Sequence, residues 1–346
     1  MKYRLLGRSG LRVSELCLGT MTFGEDWGWG ADKPTSRALY DAYRAAGGNF
    51  FDTANRYTEG TSERYLGEFC ASERDQVVLA TKFTLWTRRD DPNACGNHRK
   101  NMVQALEASL KRLGTDYVDL YWVHAWDFTT SPEELMRGLD DLVRAGKVLY
   151  VGVSDTPAWE VSRAVTLAEL RGWTPFTALQ IKYSLLERTP DRDLLPMARA
   201  LDLAVTPWSV LGTGLLTGKY RRGEAGEGDR LARNGRADQV DARTQAIVDA
   251  VIAVAGELGC TPSQVAIAWL LGQPGVILPL VGARRPEQLA DNLGALDVTL
   301  DAAQRERLDA VSAVPLGFPH DFLAQDYVRD LVFAGCQDRI VNHRER

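Results

Sequence analysis

Residues 103–124 read VQALEASLKRLGTDYVDLYWVH, and the change of rhythm inside this stretch decides the fold. Val103, Leu106, Leu110 and Leu113 recur three and four apart, which puts them on one face of a helix. The run Val118 to Val123 that follows is short and apolar, as a buried strand is. The same exchange continues nearly from end to end. Strands are expected at Leu16–Gly19, Phe50–Thr53, Val77–Thr81, Val118–Val123, Val148–Val153, Ala178–Ile181, Ala204–Trp208 and Val276–Leu280, with a helical pattern after each. Such alternation implies parallel pairing through right-handed crossovers, and eight units are the number that closes an α/β (β/α)8 TIM barrel. An open doubly wound sheet is the competing architecture. It is disfavoured because no Gly-x-Gly-x-x-Gly follows the first strand. Tyr3–Leu6 and Leu11–Val13 flank Gly7-Arg8-Ser9-Gly10, which predicts an N-terminal β-hairpin that plugs the barrel floor.

The bulk properties agree with that fold. The chain has 346 residues, within the range of one α/β barrel, so residues 1–346 are expected to form a single domain. With 45% apolar and 25% charged residues and a net charge of −5 from interspersed signs, it reads as a globular protein with no nucleic-acid partner. The first ten residues carry charges and no apolar run of signal-peptide length, and the five cysteines are odd in number and widely spaced. Free thiols and a cytoplasmic location are therefore expected. Ser263–Ala283 is free of charge and long enough to suggest a membrane span, but Gly272-Gln273-Pro274-Gly275 divides it into a buried helix and a buried strand. Between the seventh and eighth strands, Arg221–Asp238 is rich in glycine and charge and is expected to be a mobile surface loop.

In a barrel, a polar residue at the C-terminal end of a strand points to the site instead of the packed interior. Asp52 ends the second strand, with Tyr57 in the loop beyond it; Lys82 ends the third and His124 the fourth. Taken singly, each has a plainer reading as a helix cap, a surface charge or a satisfied structural group. Their joint occurrence at consecutive strands sets them apart.

These residues sit within a longer set: Leu18-Gly19-Thr20-Met21-Thr22-Phe23-Gly24, Phe51-Asp52-Thr53-Ala54 with Tyr57 and Ser62-Glu63, Ala80-Thr81-Lys82, Asp119-Leu120-Tyr121 with His124, Gly152-Val153-Ser154, Gln180 to Leu185, Trp208 to Gly212 and Gly282 to Gln288. In order and spacing the set resembles the aldo-keto reductase family, and within it a bacterial-type branch of NADPH-dependent carbonyl reductases. The resemblance implies hydride transfer to an aldehyde or ketone, with Asp52, Tyr57, Lys82 and His124 as the catalytic tetrad. Hydride arrival leaves negative charge on the carbonyl oxygen, so a proton must be donated there. Tyr57 is the implied acid, Lys82 the cation expected to lower its pKa, Asp52 the residue that holds Lys82, and His124 the donor that orients the carbonyl. No metal is expected, since only one of the four histidines, His98, His124, His320 and His343, ends a strand.

The resemblance further implies NADPH or NADP+ as cofactor, lying across the strand ends from Gly19, Thr20 and Met21. Ser154, Asp155 and Gln180 would meet the nicotinamide amide. Asp155 stands where the family usually has Asn, and its charge favours the oxidised, positive ring. Trp208 would stack on the ring. Ser209, Val210, Leu211, Gly212, Gly214 and Lys219 would line the pyrophosphate. Gly282-Ala283-Arg284 is expected to begin a helix whose N-terminus attracts the 2′-phosphate, with Arg284 gripping it and Gln288 and Asn292 facing the adenine. Trp27, Trp29, Trp86 and Trp126 lie in loops at the site end and suggest an aromatic-walled pocket for a small-molecule carbonyl or alcohol, bordered by Phe318 to Phe322 of a C-terminal tail. Two further readings are open: a non-catalytic NADPH-binding regulatory subunit, and a metal-dependent barrel isomerase or hydrolase, for which clustered strand-end carboxylates and histidines are lacking.

Overall fold

The computed structural model of the chain describes residues 1–219 and 241–342. The hairpin forms as predicted, with β1 (Tyr3–Leu5) antiparallel to β2 (Arg12–Ser14). Eight parallel strands follow: β3 (Cys17–Gly19), β4 (Phe50–Asp52), β5 (Val78–Phe83), β6 (Val118–Val123), β7 (Val148–Ser154), β8 (Phe176–Lys182), β9 (Ala204–Trp208) and β10 (Leu280–Val281). Each pairs with the next as far as β9, and β10 pairs with β3. Two backbone bonds complete the ring, from Val205 N to the Val276 carbonyl and from Leu278 N to the Val205 carbonyl, both 2.8 Å.

The eighth strand is not the continuous Val276–Leu280 expected. Pro279 interrupts it, since proline has no N–H to give a ladder. Ile277 bridges to Val205 on one side, while Leu280 and Val281 pair with Cys17 and Leu18 on the other. The helix after it also begins later than expected. It spans Pro286–Leu293, and Arg285 before the proline is extended at φ −143°, ψ 146°. The proline ring excludes the helical conformation from that position, so Gly282-Ala283-Arg284 is loop. Pro262–Leu271 is a buried helix, as expected. Among the described residues no single helix is long and apolar enough to cross a membrane. Arg221–Asp238 lies outside the described residues.

Strand parity sets where each side chain goes. Leu6 and Val13 of the hairpin join Cys17, Phe50, Val78, Ala80, Leu120, Trp122, Ala178, Ala204 and Leu278 in one cluster inside the ring, so the hairpin does close the floor. The intervening residues, Leu18, Phe51, Leu79, Tyr121, Val123, Leu179 and Val205, pack outward under the helices. Side chains two apart share a face. Stepping up by two from the inner cluster therefore leads from Phe50 to Asp52, from Ala80 to Lys82, from Trp122 to His124 and from Ala178 to Gln180. Two glycines permit this filling. A Cβ on Gly7 (φ +55°) would stand 2.3 Å from the Thr177 carbonyl oxygen, and one on Gly152 would meet the Trp122 ring at 2.4 Å.

Candidate active site

At the upper rim, the Lys82 ammonium and the Asp52 carboxylate form an ion pair whose side chains are 0% and 1% exposed. Charges so deep need further partners. Lys82 Nζ also donates to the Thr53 carbonyl at 2.9 Å and to the Tyr57 hydroxyl at 3.2 Å, and Gln180 Nε2 donates to Asp52 Oδ1 at 3.2 Å. Burial alone would drive the Lys82 ammonium down, but Asp52 and Tyr57 together hold it above its ordinary value, so it stays charged. Burial pushes Asp52 upward, opposed chiefly by Lys82 and then by Gln180.

Tyr57 is placed by the turn that follows it. Thr58 and Glu59 are left-handed at φ 44° and 54°, which is strained for a β-branched threonine. The Thr58 hydroxyl anchors the turn by donating to the Phe23 carbonyl at 2.6 Å and accepting from Ser62 N at 3.1 Å. Ser62 ties the next helix, Thr61–Cys70, to the rim by donating to the Thr20 carbonyl at 2.7 Å; its hydroxyl also lies 2.9 Å from that of Thr53. The Tyr57 phenol departs from expectation in one respect. Lys82 does favour the phenolate, but burial outweighs it, so the pKa lies above the ordinary value. His124 is edge-on to the Tyr57 ring at 5.9 Å. Burial, with Lys82 adding to it, depresses the imidazole well below its ordinary value, so it is neutral. Its Nδ1 is buried without a partner.

The expected cofactor residues line one arc of the same rim. Gly19 ends β3, and Thr20 after it donates its hydroxyl to the Asp52 carbonyl at 3.0 Å, with Met21 next. Ser154 ends β7, and Asp155, at the open mouth, accepts from the Trp208 indole N–H at 3.1 Å. Burial of its carboxyl raises the Asp155 pKa, against the Trp208 hydrogen bond and Lys82. Beyond Trp208 the backbone turns repeatedly left-handed at Ser209 (φ 59°), Gly212 (56°), Thr213 (62°) and Gly214 (94°), around Val210 and Leu211. Gly212 N and Gly214 N donate back to the Ser209 and Leu211 carbonyls at 2.8 and 2.9 Å, which fixes a tight turn at the mouth; Lys219, exposed, follows it. Across the rim the loop bearing Arg284 is held from three sides. Thr22 donates to the Ala283 carbonyl at 2.6 Å, Arg284 N donates to Gln288 Oε1 at 2.9 Å, and Asn292 Nδ2 donates to the Gly282 carbonyl at 3.5 Å. Gln288 and Asn292 thus brace this loop, a role their spacing alone did not reveal.

The aromatic residues divide. Trp126 is a buried packing residue. Trp27 and Trp29 lie 5.8 Å apart, and Trp27 is edge-on to Tyr57 at 6.5 Å. Trp86 faces the same group through Arg56, whose guanidinium lies 3.9 Å from the Trp86 ring centre and 5.9 Å from that of Trp27. Arg56 was absent from the sequence expectations, and only its place beside Tyr57 could have drawn attention to it. Phe318 and Phe322 of the tail pack on each other at 6.1 Å and are both exposed.

A closed parallel barrel whose rim gathers a tyrosine, a buried Lys–Asp pair and a neutral histidine next to a tight left-handed turn is the architecture of a barrel oxidoreductase. Comparison with known proteins gives the family: the sequence profile described as the aldo/keto reductase family matches residues 15–313. Similar proteins include aldo-keto reductase ausK of Aspergillus calidoustus, 39% identical over 94% of this chain and 85% of its own length. Norsolorinic acid reductase of Aspergillus flavus is 38% identical over 93% and 84%. An aryl-alcohol dehydrogenase [NADP(+)] of Phanerodontia chrysosporium is 39% identical over 90% and 86%. The chain belongs to the aldo/keto reductase family and is an oxidoreductase of carbonyl or alcohol groups. These relatives are fungal, so a bacterial-type branch finds no support in them.

The neutral His124 has a measurable consequence. Its ring should show no protonation midpoint at or above about 6.5, the value of an unperturbed histidine, in an NMR titration. Because the unfolded chain then binds the extra proton first, stability against urea should decline as pH falls below that value, and His124→Gln should flatten the decline. A midpoint at or above the ordinary value contradicts the assignment.

Proposed function

We propose that the chain is an NADP(H)-dependent reductase of aldehydes or ketones in which Tyr57 is the general acid. The observation that carries the reading is the Tyr57 hydroxyl 3.2 Å from a charged, buried Lys82. A bound nicotinamide supplies the hydride. The protein supplies the proton: as charge grows on the substrate oxygen, Tyr57 donates its hydroxyl hydrogen and becomes phenolate, which Lys82 stabilises while Asp52 holds the ammonium in place. The upward pKa of the phenol keeps that proton on Tyr57 until the oxygen demands it. With Nδ1 of His124 buried and unpartnered, the tautomer protonated at Nε2 leaves no orphan donor inside and keeps one N–H for the substrate oxygen.

The cofactor would be held by Ser154, Asp155 and Gln180 at the amide, Trp208 at the ring face, the turn from Ser209 to Gly214 with Lys219 at the pyrophosphate, and Arg284 at the 2′-phosphate. The dehydrogenase of Phanerodontia chrysosporium is named as NADP(+)-dependent, which supports that choice. The aryl-alcohol named for that enzyme, with Trp27 against Tyr57 and Trp29 and Trp86 beside it, favours aromatic substrates. Cytoplasmic residence belongs to the same reading, because all five cysteines are free thiols.

Tyr57→Phe tests the acid. Loss of a positioned acid typically removes about 10²- to 10⁴-fold of rate, so kcat for reduction of a substrate the wild type accepts should fall by at least the lower figure. NADPH affinity should stay within a fewfold; near-normal turnover would place the acid elsewhere. Arg284→Ala tests the cofactor. A hydrogen-bonded charge pair contributes about 1.5–3 kcal/mol, so NADPH should bind about tenfold to a hundredfold more weakly by calorimetry while NADH is nearly unaffected. Equal losses for both would remove Arg284 from the phosphate.

A further inference from the structure

Arg56 is a mostly buried cation with one carboxylate partner for its five N–H donors. Its side chain is 17% exposed, and among the described residues its one charged partner is Glu59, whose carboxylate meets Nη1 as an ion pair and is held below its ordinary range chiefly by that contact; Nε and Nη2 make no hydrogen bond to any described residue. Comparably buried arginines behave otherwise. Arg74, 14% exposed, donates to Thr115 Oγ1 and to the carbonyls of Val77 and Tyr117. Arg188, 12% exposed, donates to Asp191, Asp309 and Ser312. Buried polar groups are nearly always paired, and an exception calls for a reason.

Position supplies one. Arg56 directly precedes Tyr57, and Trp27 faces both, its ring 5.9 Å from the guanidinium and 6.5 Å from the Tyr57 ring. The Arg56 guanidinium lies over the Trp86 ring, 3.9 Å from its centre, and a second guanidinium, Arg89, lies 4.4 Å from the same ring. A flat aromatic wall with a planar guanidinium beside it, paired on one side only with an exposed carboxylate, matches a flat aromatic molecule that carries a carboxylate, because guanidinium and carboxylate meet through two parallel hydrogen bonds. Stacking on Trp86 fixes the fork in advance, so little side-chain freedom is lost when the anion arrives.

We propose that Arg56 selects the substrate, and that the enzyme prefers aromatic aldehydes or ketones bearing a carboxylate over neutral ones of the same size. The proposal rests on the reading of Tyr57 as the reducing centre. Glu59, 51% exposed, holds Arg56 in the free enzyme and turns to solvent when a substrate carboxylate takes its place.

The test compares 4-carboxybenzaldehyde with 4-methylbenzaldehyde in the wild type, Arg56→Gln and Arg56→Lys. A charge-assisted pair should give the carboxylate about tenfold or more in kcat/KM. The ratio should collapse toward one in Arg56→Gln and be intermediate in Arg56→Lys, which keeps the charge and loses the fork. A residue that merely ties loops together would lower thermal stability and leave the ratio unchanged, and that result overturns the proposal. Binding of terephthalate, read by tryptophan fluorescence, needs no turnover. Its Kd should rise about tenfold or more in Arg56→Gln. If neither aldehyde is reduced but terephthalate binding depends on Arg56, the reductase reading fails and the anion site stands; terephthalate binding indifferent to Arg56 overturns the site.

Discussion

The Lys82 ammonium and Asp52 carboxylate lie side by side in the barrel with almost no exposure to solvent. Removing two charges from water is expensive, and removal of one partner from such a pair typically costs about 3–5 kcal/mol because the other is left uncompensated. The pair is tolerable here because its other valences are filled by the Thr53 carbonyl, the Tyr57 hydroxyl and the Gln180 amide. The Thr53 carbonyl and Tyr57 hydroxyl belong to the segment that carries Asp52, while Lys82 and Gln180 come from β5 and β8, so three segments must reach the rim in register before the charges can be buried. The requirement that organises the site is therefore also one that the barrel itself must meet.

Much of the remaining architecture follows from filling the ring beneath that pair. Trp122 occupies the level below His124 and needs Gly152 opposite it, because any side chain there would overlap its ring. Below Trp122, the smaller inner residues leave room for Leu6 and Val13 of the hairpin. With the floor closed and the middle filled, only the upper rim remains open, and the polar residues two steps above the apolar inner layer have no alternative but to face it. The loops above that rim are each shaped separately: the strained turn after Tyr57, the left-handed run after Trp208 and the braced segment around Arg284.

Strand identity, the hairpin and the strand-end residues Asp52, Lys82 and His124 were legible in the sequence because each leaves a local signal, an apolar run, a glycine-rich turn or a polar residue ending an apolar run. The features that escaped depend on relations between distant segments. Pro279 lies inside an apolar run that reads as one strand, and only the two neighbours show that it splits the pairing between β9 and β3. Pro286 did carry a local signal, since a proline bars helix from the residue before it, and Arg285 is accordingly extended. Gln288 and Asn292 have helical spacing, but nothing in that spacing tells that they turn to the loop in front of their own helix. Asp155 stood out as an unusual residue, yet its partner Trp208 lies 53 positions away. For Tyr57 the sign of the pKa shift depended on a balance between burial and Lys82 that residue types alone do not set.

The claim on which this account turns is that Lys82 and Tyr57 serve one proton transfer. A double-mutant cycle measures it directly: kcat/KM for one aldehyde in the wild type, Lys82→Met, Tyr57→Phe and the double variant, with folding checked for each. Groups that act as a unit are far from additive, so the double variant should be scarcely slower than the slower single one. Losses that multiply through to the double variant would mean that the two residues act independently, and would contradict the account.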